Sequence, residues 1–169
     1  MRVTLRAVAV LVGLMLPACA SKTAVPDEEA PVLSTFAPDL RTRIVDRLGI
    51  DGVRILETAT AFDVTLHRAN DDPPEDGTVI ARRRIEVDDE RAQLVQFFYD
   101  VAASNDPPCK CEPVLSYRVT TTDGSAEARV IGHPVSVRVD QRTLMQVPPL
   151  RAKQTLSSLV PEPAPMSQP

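Results

Sequence analysis

Fourteen residues, Glu90 to Ala103 (ERAQLVQFFYDVAA), do most to constrain what this chain can fold into. They hold three of its six aromatic residues, and Leu94, Phe97, Phe98 and Val101 recur at helical spacing with Ala102 beside them. A helix this apolar has to be wrapped, because each large side chain withdrawn from water contributes roughly 1.5–3 kcal/mol. Asp88 or Asp89, just upstream, is placed to cap it.

The flanking segments supply the wrapping. Leu40, Ile44, Val45 and Leu48 form a helical stripe, with Pro38 and Asp39 at its start and Gly49 as its stop. Val53 to Leu56 is a short apolar piece. Phe62, Val64 and Leu66 alternate with Asp63, Thr65 and His67, which reads as a strand. Residues 69–77 (ANDDPPEDG) read as a loop, and Thr78 to Val87 as a second strand interrupted by Arg82, Arg83 and Arg84. After the aromatic helix, three short strands are expected at Val114–Thr121, Ala126–Gly132 and Val135–Val139. Thr122-Asp123-Gly124-Ser125 forms a hairpin turn and His133-Pro134 the next bend. A last helix runs from Leu150 to Val160, with Leu156, Leu159 and Val160 on one face. Runs of hairpin-joined strands with interspersed helices predict an α+β fold: an antiparallel sheet of about five strands with helices packed on one face. The globular domain is expected at 39–160, between a flexible tether at 19–38 and a Pro-rich disordered tail at 161–169.

The first eighteen residues have a different character. Arg2 and Arg6 precede an uncharged, mostly apolar run, Ala7 to Leu16, which has the length of a signal-peptide core and falls short of the roughly 20 residues that span a bilayer. The run ends in Leu16-Pro17-Ala18-Cys19. This ending resembles the lipobox of bacterial lipoproteins. The resemblance implies cleavage before Cys19, a diacylglycerol thioether on its sulfur, and an acylated new N-terminus, so that residues 1–18 are the leader. Each buried methylene contributes about 0.8 kcal/mol to such an anchor. The other reading is a secretory signal cut after Ala18 or Ala20. Ala20 and Ser21 follow the cysteine where enterobacterial lipoproteins kept in the inner membrane carry Asp, so the resemblance implies an outer-membrane lipoprotein facing the periplasm.

The whole chain carries 19 Lys+Arg against 23 Asp+Glu, a formal charge of −4. Loss of residues 1–18 removes two arginines and no acid, and takes it to −6. There is no global attraction for nucleic acid or anionic lipid, although a local basic patch remains open. The acidic domain is expected to stand off an anionic membrane, with the lipid alone holding it.

With Cys19 lipidated, Cys109 and Cys111 remain as a C-x-C pair. A tight local disulfide or inert thiols, a two-thiolate soft-metal site and a redox pair are the three readings. Extended residues i and i+2 lie at the upper limit for a disulfide, and zinc needs about four ligands. His67 and His133 are far away in sequence. Asp71, Asp72, Glu75 and Asp76 lack the spacing of a calcium loop. In Arg82-Arg83-Arg84, alternation puts Arg82 and Arg84 on one strand face, as a solvated surface pairing with carboxylates or as a seat for phosphate or an acidic partner.

From Ile80 to Val160 the chain also resembles a loose group of small, uncharacterised bacterial secreted proteins and lipoproteins, through Cys111, Pro113, Leu115, Tyr117, Arg118, Gly124 and the 126–139 strands. Where those proteins often have a later cysteine, this chain has Gly132-His133. The resemblance brings no activity. No P-loop, GxGxxG, HExxH or GxSxG is present, and no local Ser/His/Asp grouping stands out. The expectation is a non-enzymatic, lipid-anchored cell-envelope protein. It would act as a binding or structural module held to the membrane by its lipid, with an envelope protein as partner, no nucleic acid and no cofactor. The alternative is a metal- or thiol-handling lipoprotein that uses Cys109 and Cys111.

Overall fold

The computed structural model describes residues 29–68, 78–105, 111–133, 135–146 and 150–162. In chain order the elements are α1 (Pro31–Ser34), α2 (Pro38–Thr58), β1 (Phe62–Arg68), β2 (Val79–Ile85), α3 (Asp88–Ala103), β3 (Cys111–Thr121), β4 (Ala126–His133), β5 (Val135–Val139), β6 (Arg142–Gln146) and α4 (Leu150–Leu159). The strands form one antiparallel sheet in the order β2-β1-β3-β4-β5-β6. The α+β class with helices on one face of an antiparallel sheet is as the sequence predicts. The sheet has six strands, not five.

The extra strand is β6. Val139 pairs with Arg142, so the β5–β6 turn is only Asp140-Gln141. Asp140 takes φ 52° there, and its amide donates to the Ser125 carbonyl at 2.8 Å. An aspartate tolerates this backbone in a two-residue hairpin, but without glycine the turn is hard to see in sequence. The expected hairpin at 122–125 is present. Asp123 accepts from the Ser125 amide at 3.0 Å and its hydroxyl at 2.6 Å, and Gly124 takes φ 72°. These Ser125 hydrogen bonds, with one from Thr121, hold the Asp123 carboxyl down at about 2.

α3 is the central helix, and its burial exceeds the expected stripe. Val95, Tyr99 and Asp100 are buried along with Leu94, Phe97, Phe98, Val101 and Ala102. Asp88 and Asp89 do not cap it. Val87 holds the N-cap position, and the two acids lie in the first turn, where they complement the helix dipole. α2 is longer than expected. Gly49 does interrupt the helix, at φ 79° and ψ 162°, but the chain resumes helix beyond it, and Val53 and Leu56 continue the buried stripe of Ile44 and Leu48. Arg142 of β6 covers the break by donating to the Asp46 carbonyl at 2.9 Å.

α2 and α3 run antiparallel and close each other's ends. Arg47 donates to the Ala102 carbonyl at 2.7 Å and Arg43 to Ala103 at 3.0 Å, at the end of α3. Arg91, in the first turns of α3, donates to the Ala59 carbonyl at the end of α2. These guanidinium groups satisfy carbonyls left open at a helix C-terminus.

The expected tether at 19–38 is corrected at its C-terminal end. Ala30, Leu33 and Phe36 are buried, and Phe36 meets the Tyr99 ring edge-on at 5.9 Å. Glu57 accepts the Leu33 amide at 2.9 Å and the Tyr99 hydroxyl at 3.0 Å, which pins the short helix α1 to α2 and α3. Burial, together with the Glu57 charge, pushes the Tyr99 hydroxyl far above its usual value. The folded body therefore includes residues 30–38 and is not bounded at residue 39. The four-residue α1 has no periodicity to read in sequence. Residues 1–28 and 163–169, which hold the expected leader, half of the tether and most of the tail, lie outside the described residues.

The Gly49 backbone lies in a region essentially reserved for glycine. Gly49→Ala is expected to destabilise the protein by about 1–3 kcal/mol in urea unfolding followed by circular dichroism. An unchanged midpoint would show that the break in α2 is not held as described.

Candidate functional site

Strand alternation sends one set of residues into the helices and the other out. Inward, the pairs Val64↔Val119, Val119↔Ala128 and Ala128↔Val137 run across the sheet, all fully buried. Outward, the same ladders line up two polar rows. One reads Arg82, Thr65, Arg118, Arg129, Ser136 and Met145 from β2 to β6. The next reads Arg84, Asp63, Thr120, Glu127, Arg138 and Thr143. No described helix covers this face. Among the described residues these two rows hold five arginines against Asp63 and Glu127, in a chain whose formal charge is −4.

Glu127 organises the centre. The residue is only 7% exposed. Oε1 accepts from Arg118 Nε at 2.7 Å and from Arg129 Nε at 2.8 Å, and Oε2 accepts from Arg138 at 3.1 Å. Arg118 and Arg129 are directly opposed across β3 and β4, an arrangement that destabilises a ladder unless a counter-charge lies between them. Burial pushes the Glu127 carboxyl up. The Arg129 hydrogen bond and the charges of Arg118 and Arg129 outweigh this and hold it below the usual carboxylate range. The guanidinium groups stay accessible, with Arg118 51% and Arg138 55% exposed. Three guanidinium groups thus converge on one carboxylate.

Arg82 and Arg84 share this face, as strand alternation requires, and Arg83 points the other way. Arg83 bridges Glu90 of α3 at 2.7 Å and the Leu159 carbonyl of α4 at 2.9 Å. Arg84 pairs with Glu86 at 2.7 Å. Arg82 is exposed and has no ion-pair partner among the described residues. The arginine run therefore divides into one residue that ties elements together and two that lie on the open face.

Other singled-out residues are spread out. Cys111 opens β3, and its backbone lies opposite His133 of β4, two positions that are 22 residues apart in sequence. His67 of β1 lies opposite Ser116. Cys19, Cys109 and the acidic residues of 69–77 lie outside the described residues. Among the described residues no group of three His, Cys, Asp or Glu is arranged to hold a metal ion, and no helix is long and apolar enough to cross a membrane. Asp100, buried, is held by Arg151 of α4 at 3.0 Å and by Gln96 at 3.0 Å, which closes α4 onto α3.

Sequence reading missed the Glu127 cluster. Its trace was present as arginine between apolar neighbours in Ala128-Arg129-Val130 and Val137-Arg138-Val139, but nothing local shows which strands are neighbours. The chain matches no protein-family model, no curated protein and no solved structure.

Glu127→Gln is expected to lower stability by about 1–2 kcal/mol near neutral pH, through loss of charge-assisted bonds to partly solvated arginines. Because the folded carboxyl titrates below its unfolded value, its contribution is full above the ordinary carboxylate range and is lost as pH falls through the folded value. The difference between wild type and variant in thermal unfolding should therefore shrink as pH is lowered through and below the ordinary carboxylate range. A constant difference would contradict the ion-pair account.

Proposed function

We propose that this protein is a lipid-anchored cell-envelope protein, facing the periplasm from the outer membrane, whose folded body is a non-catalytic binding module. The observation that carries the binding role is the open sheet face. The body buries its apolar residues on one side and leaves a row of arginines on the other. The anchor rests on the resemblance of residues 1–19 to a lipoprotein leader. The burial of Ala30 in the folded body fits this reading, because only residues 20–29 lie between it and the lipidated sulfur of Cys19. Fully extended, that connection spans at most about 40 Å. The module would work close to its membrane.

Cys19→Ser is expected to move the protein from the membrane fraction to the soluble periplasmic fraction, or to leave it as an uncleaved precursor, and to abolish palmitate labelling. Labelled, membrane-bound Cys19→Ser protein would overturn the anchor.

The β3–β4 register favours a second reading, a soft-metal or thiol site at Cys111. It sets the backbone of His133 across from that of Cys111, and both residue types are soft-metal donors. On this reading the purified chain takes up one equivalent of zinc or copper(I), and both Cys111→Ser and His133→Ala lose it. Unchanged metal content in both variants excludes it.

A further inference from the structure

We infer that the open sheet face is a docking surface for an acidic segment of a partner polypeptide, with Arg82, Arg118 and Arg138 receiving its carboxylates. This deepens the binding-module reading and rests on it only for the direction in which the face looks.

Four observations carry the inference. First, the face is complementary in charge to an acidic ligand: among the described residues its two rows hold five arginines against two carboxylates, although the chain as a whole is acidic. Second, the face already binds a carboxylate. Glu127 is held by three guanidinium groups, and Arg118 and Arg138 remain half exposed above it, with further N–H donors beyond the single bond each makes to Glu127. Arg82 extends the row at the sheet edge with no ion-pair partner among the described residues. Third, the outward rows contain no Phe, Tyr or Trp, so the face lacks the stacking platform on which single-stranded nucleic acid is held. Fourth, α1 packs on α2 and α3, on the helical layer. The arginines lie on the other side of the sheet, so on the lipid-anchored reading a connection that joins the body at α1 leaves them free to face away from the membrane. That favours an acidic polypeptide over the headgroups of the anchoring membrane.

The test uses the full-length chain and a fluorescent peptide of about ten glutamates as probe, read by anisotropy at low salt. Saturable binding is expected, weakening steeply with added salt. Arg82→Glu should lower the association constant about fivefold, and Glu127→Gln, which removes the competing carboxylate, should raise it about threefold. Arg54→Glu, an exposed change on the helical layer, should leave it unchanged. Because Arg82 makes no ion pair with any described residue, its variant is expected to fold, and the gain in Glu127→Gln cannot come from misfolding. No binding, or equal binding by wild type and Arg82→Glu, would overturn the proposal. So would Arg82-dependent binding to phosphatidylglycerol/phosphatidylcholine vesicles without binding to the peptide, which would assign the face to lipid. The Cys19→Ser chain should bind the peptide as wild type does, so failure of the anchor and failure of this surface are read separately.

Discussion

Everything in this molecule follows from burial on one side only. The chain supplies one strongly apolar helix, α3, one amphipathic partner, α2, and strands whose apolar residues fall at alternate positions. That is enough for one helical layer against one face of a sheet. The second face has to be stable in water without a cover. Valines and alanines fill the inward rows, and arginines, threonines and serines occupy the outward ones. Arginine suits this position because its stem covers the strand beneath while its charged head stays solvated. Five cations on one face repel, and Glu127 relieves the closest pair, Arg118 and Arg129.

Arginine has a second task on the helical side. The ends of α2 and α3 are closed by guanidinium groups from the neighbouring helix, the break at Gly49 by Arg142 from β6, and the end of α4 by Arg83 from β2. Each contact satisfies carbonyls that would otherwise be left open and also fixes one element against another. At the opposite pole Glu57 does the same for amides, and holds α1 where the chain enters the body. Asp100, within α3, receives Arg151 of α4. Charged groups thus set how the layers are joined, while the aromatic residues of α3 supply the burial.

Much of the fold could be read from the sequence, because periodicity is a local signal. The alternation of Phe62, Val64 and Leu66, the stripe through Leu94, Phe97 and Phe98, and the turn at Asp123-Gly124 each named their element. What escaped was either short or non-local. β6 has only one apolar residue pointing inward, Leu144, and a turn without glycine. α1 has four residues, and its burial depends on Glu57, more than twenty residues away. Gly49 looked like an end and is a bend, because the apolar stripe beyond it belongs to the same layer. The arginine face was half visible: the sequence placed Arg82 and Arg84 together, but Arg118, Arg129 and Arg138 join them only once the strand order is known. The pairing of Cys111 with His133 is hidden for the same reason.

The central claim is that one face of the sheet is packed and the other is open. Relaxation of side-chain methyl signals by a soluble gadolinium chelate tests it directly in the intact chain. The methyl groups of Thr65 and Thr120 should relax strongly, and those of Val64 and Val119, their immediate neighbours in sequence, should be protected. Equal protection of all four would mean that something covers the arginine face, and the account of a one-layered, open-faced sheet would be wrong.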